Sequence, residues 1–164
     1  GAHMFDIVQW ALGMDRTGPV KFVPPADRNA VRGLKMYYEN GIEVVHEDFE
    51  RGWGVRFYGT EGNMDVSRSF LETDPAGILN VELKDTDTRL YKVKKDHYQD
   101  WLDAIKNRTQ PICDVETGHR SASVCNIANI AYSLGETLNW NPDSEKFKGN
   151  SAANKMRHMK YRKF

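Results

Sequence analysis

The stretch "LKMYYENGIEVVHE", residues 34–47, decides the class of fold. Met36, Tyr37, Tyr38, Ile42, Val44 and Val45 crowd both sides of a polar break. Such runs fit a pleated, half-buried surface. The break is Glu39-Asn40-Gly41. Asn-Gly supplies the two positive-φ positions of a type I′ turn, so 34–38 and 42–47 are expected to fold back as an antiparallel hairpin. A parallel pairing is ruled out, because its crossover takes about a dozen residues or more.

The same pattern continues outward. "GVRFYG" (54–59) and "NMDVSRSFL" (63–71) flank "TEGN" and form a second expected pair, and "TRLYKV" (88–93) offers one more strand. "RTGPVKFVPP" (16–25) leaves room for a short strand at 20–23, placed at a sheet edge because of its prolines. Helices bracket the strands. Over 3–12, Phe5, Val8, Ala11 and Leu12 share a face that Ile7 and Trp10 widen, and Gly13 ends the helix. Over 97–108, Asp96 is the N-cap and Tyr98, Trp101, Leu102 and Ile105 form one stripe. Over 118–134, Val124, Ile127, Ala128, Ala131 and Leu134 form another, with Gly135 as the stop. "ETLNWNPDSEKFKGN" (136–150) reads as two short segments around an Asn-Pro-Asp turn, followed by a short helix near 151–157. The expected class is α+β: an open, mostly antiparallel sheet with helices packed on one face. The βαβ rhythm of a dinucleotide-binding fold is missing, and no GxGxxG follows a strand.

With 164 residues the chain has the size of a single domain. Its 23 basic residues balance its 23 acidic ones, which removes the electrostatic argument for nucleic acid or an anionic membrane. The "RHMKYRKF" tail (157–164) does not overturn that balance. No apolar run reaches the length needed to cross a bilayer. Cys113 and Cys125 match no zinc or CxxC spacing, and Cys125 falls on the apolar side of a helix, where a buried thiol is expected.

Two places gather residues able to do chemistry. His3 stands one turn into the first helix, with Asp6 at i+3 on roughly the same face. Asp6 either pairs with His3 or serves as an acidic residue near a helix N-terminus. The second place is "CDVETGHRSAS" (113–123), where Asp114, Glu116, His119 and Arg120 gather about a helix start. That start either receives an anionic or polyol group or is simply capped, with Thr117 as N-cap. Alternation puts Arg56 opposite Val55 and Phe57, towards solvent. No His, Cys or carboxylate spacing suggests a metal, and no nucleophile motif is present.

Taken together, "GAHMFDIVQWALGMD", "VRFYGTEG", "DHYQDWLDAIKNRTQPICDVETGHRSASVCNIANIAYSLG" and "LNWNPDSEKFKGNSAAN" strongly resemble the C-terminal domain of Gfo/Idh/MocA oxidoreductases. The bacterial subgroup with a distinctive C-terminal domain is the nearest match, over almost the whole chain. The resemblance implies a two-domain enzyme acting on a sugar, polyol or related carbohydrate. NAD or NADP is then bound mainly by an N-terminal domain absent from this chain, and homo-oligomers form through the open sheet face, expected to be apolar. The family's Asp-x-x-x-His motif is often written D-W-G-A-H, and Gly1-Ala2-His3 matches its last three letters. The resemblance therefore implies that His3 is the acid/base residue and that Gly1-Ala2-His3-Met4 is native rather than a tag remnant. It further implies a place near substrate for Asp6, His119 and Arg120, and it implies that residues 1–164 form a single substrate and oligomerisation domain, inactive alone. A non-catalytic binding or assembly module of the same fold is the alternative. Cytoplasmic and periplasmic locations are both open.

Overall fold

The computed structural model describes residues 1–87 and 95–158. The strand expected at 88–93 and most of the basic tail lie outside them. In chain order the elements are α1 (Ala2–Ala11), β1 (Lys21–Val23), β2 (Leu34–Tyr37), β3 (Glu43–His46), β4 (Val55–Tyr58), β5 (Asn63–Val66), β6 (Leu71–Asp74), a 3-10 turn (Ala76–Asn80), α2 (His97–Asn107), α3 (Val115–Leu134), β7 (Leu138–Asn141), β8 (Lys146–Phe147) and α4 (Ser151–Met156). They form two compact units, Gly1–Gly52 with His119–Phe164, and Trp53–Gly118.

The first unit carries a five-stranded sheet in the order β3-β2-β1-β7-β8. Each of its pairings is antiparallel. The 34–47 hairpin forms in register, Leu34 opposite His46 and Tyr37 opposite Glu43. Its turn is not type I′. Gly41 alone takes a positive φ, 86°, its N–H bonds Tyr38 O at 3.0 Å, and Tyr38 N–H bonds Ile42 O at 3.0 Å. One left-handed glycine after an ordinary turn closes this three-residue loop, so Asn40 is spared the strain. The strand at 20–23 is central rather than an edge, because β1 pairs with β2 on one side and β7 on the other. Pro19 and Pro24 bracket the strand and remove no ladder donor from it.

Alternation sends Phe22, Leu34, Met36, Leu138 and Trp140 to one face of this sheet, where they pack with Val124, Ile127, Ala128 and Ala131 of α3, Phe147, and Ala153 of α4. Each fully buried large side chain is worth roughly 1.5–3 kcal/mol. The opposite face is mixed instead of apolar: Lys21, Lys35, Glu43 and Asn139 are exposed, and Val23, Tyr37 and Val45 are half-buried. Lys35 reaches Glu43 at 3.6 Å, and Lys21 Nζ lies 5.7 Å from the Tyr37 ring.

Gln9, fully buried on α1, ties the chain beyond that helix to β2. Its amide donates to Met14 O at 3.0 Å and Thr17 O at 2.9 Å, and its oxygen accepts from Tyr38 Oη at 2.5 Å. Periodicity had placed Ala11 on the buried face, but it is exposed. The helix turns this amide inward in its place.

The second unit holds a three-stranded antiparallel sheet, β4-β5-β6. The run 63–71 is not one strand. Ser67 Oγ accepts from Ser69 N and Phe70 N, which closes a turn before β6. Arg56 does not simply face water, since its Nε and Nη2 fork onto Asp65 at 2.6 and 2.7 Å. At Gly62 (φ 149°) a Cβ would stand 2.2 Å from Asp74 O. Asp96 caps α2, accepting from Gln99 N. Within this unit the stripe of Tyr98, Trp101, Leu102 and Ile105 is exposed, and Ala104 is the buried residue of α2.

Candidate active site

The first turn of α1 carries His3. Met4 N and Phe5 N bond Gly1 O at 2.9 and 3.2 Å, and His3 itself is exposed. Two residues on, about 200° around the helix, Phe5 faces inward with its ring 6.1 Å from that of His46 on β3. Asp6 does not pair with His3. Its Oδ1 accepts from Ser121 Oγ on α3 at 2.6 Å. The His3 turn is thus gripped from β3 and from α3, while its outer side stays open.

His46 is half-buried. Its Nδ1 lies 2.9 Å from Tyr132 Oη, and that hydroxyl already accepts from Leu34 N at 3.1 Å. A hydroxyl has one proton and two lone pairs, so with Leu34 N–H on one lone pair it either donates to Nδ1 or accepts from it, according to the His46 tautomer. Burial, then the positive charge of Arg32, pushes the His46 pKa below its ordinary value. Arg32 pairs in turn with Asp48 at 2.9 Å.

His119 and Arg120 turn the other way, towards the β7–β8 hairpin. His119 Nε2 lies 2.5 Å from Glu145 Oε1. Arg120 Nη1 donates to Pro142 O at 2.7 Å and lies 3.7 Å from the same Glu145 oxygen. Arg157 Nη1 bonds Glu145 O at 2.6 Å. Chiefly through the bond from His119, the Glu145 carboxyl is held below its usual range. A shallow cleft of about 10 Å³, room for one water, lies here, lined among others by Thr17, Gly18, Arg120, Trp140 and Glu145. α3 starts at Val115, and Asp114 accepts from Thr117 N at 2.9 Å. The N-cap is therefore Asp114, not Thr117. A carboxylate placed just outside the helix satisfies the early N–H groups that Thr117, already inside, cannot reach.

The four candidate residues thus fall into two places, His3 and Asp6 on α1, and His119 and Arg120 against the hairpin. Three partners escaped sequence reasoning. Ser121 was legible as a polar residue on the apolar stripe of α3. Tyr132 and Glu145 gave no local signal, since their histidine partners are distant in sequence. Cys125 is half-buried, not buried, and Cys113 is exposed. Among the described residues no group of three His, Cys or acidic side chains is placed to hold a metal, and no helix is long and apolar enough to cross a membrane.

The family described as "Oxidoreductase family, C-terminal alpha/beta domain" matches over residues 1–164. The chain belongs to the Gfo/Idh/MocA oxidoreductase family, as its C-terminal domain. Among curated proteins and among solved structures nothing matches. The α+β fold with open antiparallel sheets agrees with this membership. The described residues of this Gfo/Idh/MocA domain do not fit a dinucleotide cradle. Their strand pairs are antiparallel, and no glycine-rich loop joins a parallel strand to a helix N-terminus.

Proposed function

We propose that this domain is the C-terminal part of an NAD(P)-dependent oxidoreductase acting on a sugar, polyol or related carbohydrate, in which His3 is the acid/base residue. The observation that carries the reading is the exposed imidazole on a gripped helical turn, in a chain of an oxidoreductase family. His3 takes the proton of a substrate hydroxyl as the carbon bearing it is oxidised. An imidazole suits that task near neutral pH. The dinucleotide belongs to an N-terminal domain, since the described residues offer it no cradle. Asp6 acts by holding α1 to α3 through Ser121. Arg120 lines the cleft at the hairpin and His119 bonds its Glu145, so a hydroxyl or an anionic group of a substrate is the ligand class they suit.

In the full-length enzyme, His3→Asn is expected to lower turnover by about 10²–10⁴-fold. Stability should stay within about 0.5 kcal/mol, since the side chain is exposed. Turnover retained at the wild-type level removes His3 from the chemistry. A second reading, an assembly module, is favoured by the mixed sheet face, whose exposed Lys21, Lys35 and Glu43 suit a mixed-charge contact with a second copy.

A further inference from the structure

His46 is the half-buried titratable side chain that the proposed chemistry leaves unused. Three observations converge on it. Its ring meets Phe5 of α1 at 6.1 Å and 56°. On its other side it meets Tyr132 of α3 edge-on, at 5.9 Å and 76°. Tyr132 Oη joins His46 Nδ1 to the Leu34 amide of the neighbouring strand. The imidazole is therefore wedged between two helices and fixed in rotation by one hydroxyl. Because Leu34 stands directly opposite His46 in the β2–β3 register, the anchor is as rigid as the sheet.

We infer that His46, through its bond to Tyr132 and its contact with Phe5, is the positioning residue for the first turn of α1, and so for His3. His3 lies about 200° from Phe5 around the helix, so His46 supports the turn from behind and does not itself face the site. The inference rests on His3 being the acid/base group, and it adds what sets that group's direction. A general acid/base misplaced by about 1 Å can cost about 10²-fold in rate, so a support of this kind has functional weight. Its charge state matters too. The groups facing His46 are Tyr132 and Arg32, the latter paired with Asp48. Arg32 is positive, so protonating His46 adds repulsion that strains the support it gives in its neutral form.

The test uses NMR on the full 164-residue chain. In His46→Leu, which keeps bulk but loses the ring nitrogen bonded to Tyr132, residual dipolar couplings of α1 amides should change while those of α3 and the β1–β2 pair stay as in the wild type. His46→Asn puts an amide near the place of Nδ1 and should restore the α1 couplings in part. Unchanged α1 couplings in His46→Leu overturn the inference. If His46→Leu unfolds, the wild type titrated down to about pH 5 decides: α1 couplings must move together with the His46 resonances, and couplings that stay fixed overturn it. The His3 proposal is judged separately. Full turnover in His3→Asn sinks the acid/base reading, whereas fixed α1 couplings sink only the support assigned to His46.

Discussion

Replacing Gln9 with Leu removes three hydrogen bonds at one stroke. Their separate fates set the expected cost. Met14 O keeps a partner, since Thr17 N still donates to it at 3.0 Å. Thr17 is half-buried, so water can reach its carbonyl. Tyr38 is 4% exposed, and its hydroxyl is left inside without an acceptor. A buried polar group orphaned in this way costs about 1–3 kcal/mol, and the lost bond at Thr17 adds about 0.5–1.5 kcal/mol, giving about 1.5–4.5 kcal/mol together. The urea midpoint should fall accordingly with an unchanged slope. The double variant Gln9→Leu with Tyr38→Phe is the sharper assay. It removes donor and acceptor together, so it should cost at least about 1 kcal/mol less than the sum of the single variants. Strict additivity, or a Gln9→Leu cost under about 0.5 kcal/mol, refutes the reasoning that this amide is the buried anchor of α1. The same burial holds the Tyr38 phenol well above its ordinary pKa. The stabilisation it reports is complete below the unfolded value near 10 and is lost as pH rises beyond it.

Gly62→Ala should cost upwards of about 3 kcal/mol and loosen the β4–β5–β6 sheet, because the new Cβ would sit 2.2 Å from Asp74 O at a φ of 149°; a circular-dichroism melt matching the wild type contradicts this. If two copies meet through the mixed face of the five-stranded sheet, light scattering should find a dimer that dissociates as salt rises from about 0.05 to about 0.5 M. A monomer at every salt concentration removes that contact.

The parts of the fold legible in the sequence were those whose signals are local. The 34–47 hairpin, the Asp96 cap and the Gly135 stop each depend on residues a few positions apart. Features set by distant neighbours were not legible. β1 is central because β7, more than a hundred residues later, pairs with it. Gln9 is buried because Tyr38 meets it. The apolar stripe of α2 was read correctly as a pattern, but a pattern does not say what covers it. For the candidate site, His3 stood out through its family motif, and Asp6 through its place on the same turn. Its bond to Ser121 spans 115 residues, and no spacing rule reaches that far. The His119–Glu145 pair lies in the same blind spot. His119 stood out at the helix start and Glu145 did not, because their meeting depends on how the β7–β8 hairpin folds against α3.

The five-stranded sheet is bordered by β3, four residues long, and β8, two residues long. An incoming strand seeks a long, flat row of free amides and carbonyls. β8 is too short to offer one. β3 begins at Glu43 and runs directly into Glu47 and Asp48, so an approaching backbone meets charged side chains at both ends. Among the described residues, the borders of this sheet thus disfavour the sheet-extending association that leads to fibres.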